Sequence, residues 1–264
     1  MAGACGAGQC REILDDLTSW GRNCALMTKP GFDYEEQIPP GYYDKIYQRK
    51  AGVRYCWHDL KFRSVAAHLP GAGRLLDIGC GPGTFIGNYA GDGEALGVDL
   101  SQAQIDYATR NYSTVAHRFS AQSVASLVEA GERFDAITMI ELLEHLAPDE
   151  ATTLLVQARS LLSANGTLIM TTPNYRSLWP IIEWGVNLLS PVSYEQQHIN
   201  KYHRARLMRH LADAGYHRVT IKTMVGLAPF AAVFGPKPVR WLETLENGVG
   251  NLGCGNLLLA LAKA

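Results

Sequence analysis

Apolar and polar positions along this chain fall into two alternating periods. Short apolar runs with strand character centre near Leu75, Ala95, Val115, Phe134 and Leu168, and stretches with helical spacing follow most of them. Strand and helix in regular alternation predict an α/β fold with a doubly wound, mostly parallel sheet. Toward the C-terminus, RARLMRHLADAG predicts a helix closed by Gly215 and HRVTIKTMV a strand. VRWLETLEN predicts a further helix and NLLLALAKA a last strand, making seven strands in all.

Ahead of the first strand the pattern is different. MAGACGAGQC lacks periodicity, CREILDDLTSWGRNCAL has helical spacing, and PGFDYEEQIPPGYYDKIYQ reads as a proline- and tyrosine-rich loop leading into a helix. HDLKFRSVAAHLP then predicts an amphipathic helix ended by Pro70. A second irregular stretch, Thr171 to His198, is too long for a simple connection and predicts a lid. Trp179, Ile181, Ile182, Trp184, Val186, Leu188 and Leu189 make it apolar on more than one side. Such a surface packs on the domain, binds an apolar acceptor, meets a partner or touches a membrane peripherally.

The strongest chemical signal is LLDIGCGPGTF, Leu75 to Phe85, where a strand ends in Asp77 and runs into Gly79, Gly81 and Gly83. Glycines at alternate positions let a backbone approach a ligand, and the following helix presents free N–H groups. A pyrophosphate would not need a carboxylate beside the first glycine, whereas a cationic amino-acid cofactor is favoured by one. S-adenosylmethionine therefore fits better than a nicotinamide dinucleotide. A second strand, GEALGVDLS, ends in Asp99 about 20 residues further on, where a ribose-binding carboxylate belongs.

With these motifs the chain resembles the class I S-adenosylmethionine-dependent methyltransferases from about Lys61 to the C-terminus, and the two late strands match that fold's reversed C-terminal hairpin. The resemblance implies a Rossmann-like methyltransferase domain over residues 61–264, with the lid inserted at about 173–198. Residues 1–60 then form an N-terminal extension and helical cap. MIELLEHLAPDE and QHINKY look most like the branch related to the ubiquinone-biosynthesis O-methyltransferases. Asp77 and the three glycines are then expected at the methionine part of the cofactor and Asp99 at the ribose, with Ile140 packing nearby. Relatives often bind the adenine amino group with an aspartate after the third strand. This chain has Ser120, Ala121 and Gln122 there, so Ala121 and Gln122 take the adenine position. Lys61 stands near a cofactor-binding arginine of the ubiquinone-pathway enzymes.

Glu141, Glu144 and His145 have the spacing i, i+3, i+4, which on a helical turn places them on one side. Such a set can hold a divalent cation such as Mg²⁺, and His198 can approach from the loop after the fifth strand. Similar sets are proposed metal ligands in the ubiquinone O-methyltransferases and the terminal 2′-O-methyltransferases of small RNAs. Without metal, His145 or His198 becomes the candidate general base. Tyr42, Tyr43, Tyr175, Trp179, Trp184 and Tyr194 are the candidate acceptor-pocket residues.

Composition adds limits. The 264 residues are 47% hydrophobic with a formal charge of −1, which gives no general attraction to nucleic acid. The basic run from Lys201 to His210 reads as a solvated helix face. Six cysteines are scattered without metal spacing, and no signal-peptide series is evident, so a reducing cytoplasm is expected. The expectation is a cytoplasmic enzyme transferring a methyl group to a small or lipidic acceptor, at oxygen first. Transfer to carbon or nitrogen and a non-catalytic cofactor-binding partner protein are the alternatives.

Overall fold

The computed structural model describes residues 38–69, 71, 73–189, 198–248 and 255–264. Its sheet runs β3-β2-β1-β4-β5-β7-β6. In chain order the strands are β1 (Leu75–Ile78), β2 (Ala95–Asp99), β3 (His117–Ala121), β4 (Phe134–Ile140), β5 (Leu162–Pro173), β6 (His217–Met224) and β7 (Leu257–Lys263). β1 to β5 pair in parallel, while β7 lies between β5 and β6 and is antiparallel to both. The predicted sheet and its reversed end are therefore present. The third strand starts at His117 rather than around Val115, whose side chain is fully exposed; a residue without burial gains nothing from strand packing.

Helices cover both faces: α1 (Tyr42–Gln48), α2 (Gly52–Ala66), α3 (Thr84–Tyr89), α4 (Gln102–Tyr112), α5 (Val124–Glu129), α6 (Pro148–Leu161), α7 (Trp179–Leu189), α8 (Arg204–Asp213) and α9 (Pro236–Gly248). The larger core sets Leu76, Ile137, Met139 and Leu168 against α6 and α8. The smaller core, with Val65, Phe85, Ile86 and Ile169, fills the other face under α2 and α3. The predicted helix at His58 begins earlier, at Gly52, and runs through Leu60 and Lys61, so the expected division at residue 60 falls inside one helix. The helical pattern of residues 10–26 lies outside the described residues.

α1 is fixed to the cofactor side of the sheet by one buried acid. Asp44 accepts hydrogen bonds from Thr84 (3.0 Å), Tyr107 (2.9 Å) and Tyr112 (2.5 Å), which joins α1 to α3 and α4. Three hydroxyl donors offset the desolvation of the carboxylate. No helix among the described residues is long and apolar enough to cross a membrane.

Candidate active site

The two acids of the glycine motif meet at the carboxyl ends of β1 and β2. Asp99 accepts the backbone N–H of Gly81 and of Ser101, each at 2.9 Å, so it shapes the loop as well as facing it. Gly81 has φ 50 and a Cβ there would meet nothing within 4 Å, which leaves open space in front of the loop. Gly83, φ 76, is required for packing too, because a Cβ would lie 2.8 Å from Ala108 and Phe119. Ala121 pairs with Asp99 in register, placing Ala121 and Gln122 beside the second acid; Gln122 accepts from the Ser126 hydroxyl at 3.4 Å. Ile140 ends β4 and packs against the smaller core.

Asp77 is buried at the end of β1, and its carboxylate accepts from Thr138 Oγ1 at 2.6 Å. Burial pushes its pKa up to about 7, the Asp99 charge adds to the rise, and the Thr138 bond opposes it. A nearly dry carboxyl without a countercharge suits a site that receives a cation.

At the end of β4 the chain does not form the α-helical turn that the Glu-x-x-Glu-His spacing suggested. Glu141 takes a left-handed conformation, φ 51, and Leu143–His145 form a single 3₁₀ turn. The 3.6-residue face is lost, and Glu141 leaves the set: its carboxylate pairs with the buried ammonium of Lys61 on α2. Glu144, His145 and His198 do converge, with potential ligand atoms within 4.8 Å of one another. The His145 and His198 rings lie 5.0 Å apart.

Glu144 is the strained member. It is fully buried and neither carboxyl oxygen has a partner at full hydrogen-bond distance among the described residues, its own N–H and the Thr172 hydroxyl being the groups that approach it. Burial, followed by the charge of Glu141, pushes its pKa up to about 8, with its own backbone N–H, the Thr172 hydroxyl and Lys61 pulling the other way. Buried polar atoms without partners are uncommon and point to an absent ligand or water. Glu144, His145 and His198 fit a divalent cation by this test, with one hard oxygen and two imidazoles.

His198 is oriented from behind. Its Nδ1 lies 2.7 Å from Glu183 Oε1 and 2.8 Å from the Tyr175 hydroxyl, and Tyr175 also donates to Glu183 at 2.8 Å. Glu183 is buried, which opposes its charge, but the bonds from His198 and Tyr175 hold its pKa below the usual range. Engagement of Nδ1 by Glu183 and Tyr175 fixes the orientation of the ring. Sequence reasoning missed Glu183, although it is the one charged residue of WPIIEWGVNLL.

The lid tryptophans separate. Trp179 is 9% exposed and stacks near Trp57 (5.5 Å) and His198 (6.0 Å), whereas Trp184 is 67% exposed. Trp184 therefore does not line the cluster in this conformation, since five positions on a helix turn a side chain to another face. Tyr42 accepts from Arg54 at 3.2 Å and Tyr43 packs on His58 at 5.9 Å, so both belong to the wall made by α1 and α2. Tyr175 joins the His198 network, and Tyr194 lies outside the described residues.

Comparison with known proteins supports the cofactor reading. A family model described as a methyltransferase domain matches residues 47–221. A ubiquinone biosynthesis O-methyltransferase of Cereibacter sphaeroides is 36% identical over 118 residues, 42% of this chain and 46% of that protein. Another, from Pasteurella multocida, is 28% identical over 169 residues, 58% of this chain and 68% of that protein. The chain thus spans about half the length of the first of these relatives. Among solved structures, a SAM-dependent methyltransferase of Thermotoga maritima superposes with a TM-score of 0.64 at 17% identity, over 87% of this chain and 97% of that one. The magnesium protoporphyrin IX methyltransferase of Synechocystis with bound SAH gives 0.54 at 19% identity, over 84% and 93%. At these identities the structures show a shared fold.

Proposed function

The chain belongs to the methyltransferase-domain family, and from that premise we propose that it is an S-adenosylmethionine-dependent enzyme that methylates an oxygen of a small or lipidic acceptor. The observation that carries this reading is the cluster of buried Glu144, half-buried His145 and buried His198, which joins the turn after β4 to the segment after α7 at the carboxyl end of the sheet. Asp77 and the glycine loop would hold the methionine part of the cofactor and Asp99 its ribose. Bound S-adenosylmethionine would supply the methyl group from its sulfonium, and His198 would take the proton of the acceptor hydroxyl. Glu183 stabilises the imidazolium that results, because its carboxylate sits 2.7 Å from Nδ1.

A divalent cation held by Glu144, His145 and His198 would supply Lewis-acid polarisation of the acceptor oxygen. The orphaned Glu144 carboxyl supports that reading. The Glu183 and His198 pair supports a metal-free one, in which the histidine is the base. The test is release of S-adenosylhomocysteine with a panel of catechols, phenols and prenylated phenols, before and after exhaustive chelation. Cofactor turnover with amine or carbon acceptors alone would move the assignment away from oxygen, and cofactor binding without turnover on any acceptor would favour a binding protein.

A further inference from the structure

An unusual surface lies beside the cleft, on the segment between β6 and β7. A 3₁₀ helix, Ala228–Phe234, leads into α9. Val233 and Phe234 are exposed, Phe234 by 82%. On α9 the exposed positions include Lys237, Arg240, Trp241 and Leu245, spaced i, i+3, i+4 and i+8, with Trp241 64% exposed. These fall on one side of the helix.

The acids of this segment are all turned away. Glu243 pairs with Arg63 of α2 at 2.8 Å, and Glu246 accepts the backbone N–H groups of Gly226 (3.2 Å), Leu227 (2.6 Å) and Ala228 (3.0 Å). Sorting charges in this way leaves a face of aromatic, aliphatic and cationic groups without a carboxylate of its own. We propose that Val233–Leu245 is a docking face for an anionic phospholipid surface, with Phe234 and Trp241 entering the headgroup boundary and Lys237 and Arg240 meeting lipid phosphates.

Three observations favour lipid over other occupants. Aromatic groups interleaved with cations are what an interfacial helix presents to an anionic bilayer. A twofold contact between copies would bring two copies of this cationic patch together with no carboxylate of the patch to pair them, which is unfavourable. The face also borders the cleft: Trp57 of α2 touches Phe230 of the 3₁₀ segment (6.4 Å) and Trp179 of α7 (5.5 Å), and Leu178 just before α7 and Ile181 and Trp184 on it are exposed. This inference goes beyond the proposed chemistry and does not depend on which acceptor is used.

The experiment is flotation of the full chain with vesicles of phosphatidylcholine alone and of phosphatidylcholine with phosphatidylglycerol. The protein should float with the second and not the first, and salt should release it. Phe234→Ser with Trp241→Ser, and separately Lys237→Glu with Arg240→Glu, should each lower the bound fraction by about tenfold or more. Melting temperature and S-adenosylmethionine affinity should stay at the parent values. Failure of the parent protein to float, or flotation unchanged in both double variants, overturns the proposal. So does sedimentation showing a dimer that these variants dissociate, because the face would then belong to a second copy.

Discussion

Asn200 donates its backbone N–H to the carbonyl of Glu144 at 3.0 Å, and its side-chain amide donates to the carbonyl of Leu146 at 2.7 Å. These two bonds fasten the segment carrying His198 to the 3₁₀ turn carrying Glu144 and His145. The cluster is therefore the product of two remote segments held by backbone groups, and its members can be replaced without dismantling the stitch.

That independence makes a metal test clean. Glu144→Gln should abolish binding of Mg²⁺ or Mn²⁺ by calorimetry, while the melting temperature near pH 7 stays close to the parent's, because Gln has the shape of the largely protonated carboxyl it replaces. Equal metal affinity in the parent and variant, or no metal bound by the parent, would leave His198 as base without an ion.

Glu183→Gln addresses the support of His198. Loss of the carboxylate behind a ligating imidazole lowers metal affinity by about 10- to 100-fold. Cofactor affinity should not change, since Glu183 touches His198 and Tyr175 and not the glycine loop. A parallel loss of both affinities would mean that α7 as a whole had shifted.

Asp99→Ala should weaken S-adenosylmethionine binding by about 1–3 kcal/mol, the scale of hydrogen bonds to a charged acceptor. Asp99 also accepts from Gly81 and Ser101, so the free loop should exchange its amide hydrogens faster in the variant. Calorimetry showing parental affinity in a folded variant would remove Asp99 from the cofactor site.

Asp77 predicts a pH dependence. In the folded protein it keeps its proton up to about pH 7, against an ordinary value of 3.8, so ionising it in the absence of a cation disfavours folding increasingly across that interval. A bound cofactor cation favours the ionised form and expels the proton. Cofactor affinity should therefore climb with pH, by as much as about tenfold per unit, and level off above about 7. Asp77→Asn should flatten the profile; a parent profile that is already flat would rule out this coupling.

The two lid tryptophans should differ sharply in stability. Trp179→Ala removes a buried ring from between Trp57 and His198 and should cost about 3–5 kcal/mol. Trp184→Ala, at an exposed position, should stay within about 0.5 kcal/mol. Denaturant melts of both variants measure the contrast, and similar losses would mean that Trp184 packs in solution.

Legibility in the sequence followed locality. Asp77, the glycines and Asp99 sit where strand ends and tight turns place them, so short-range pattern was enough, and the same holds for the seven strands. Glu141 was misjudged because its spacing to Glu144 and His145 has meaning only on an α-helix, and one left-handed residue breaks that geometry. Glu183 and Lys61 take their roles from partners far along the chain, which no periodicity records. The exposed face of α9 was equally hidden, since VRWLETLEN reads as an ordinary amphipathic helix until its glutamates are seen to bond inward.

The position of β7 bears on how the molecule is made. Of the seven strands it leaves the ribosome last, yet it lies between β5 and β6, so β6 has no strand partner until β7 arrives. Its start also holds the end of β5 that leads into the Tyr175 segment: Leu257 pairs with Pro173, and Asn174 donates to the carbonyl of Asn256, just before β7, at 2.8 Å. Such late, long-range pairing is slow and exposes strand edges meanwhile. Synthesis halted just short of Leu257 should thus yield a chain that accumulates on chaperones, with a half-built sheet and no competent cleft.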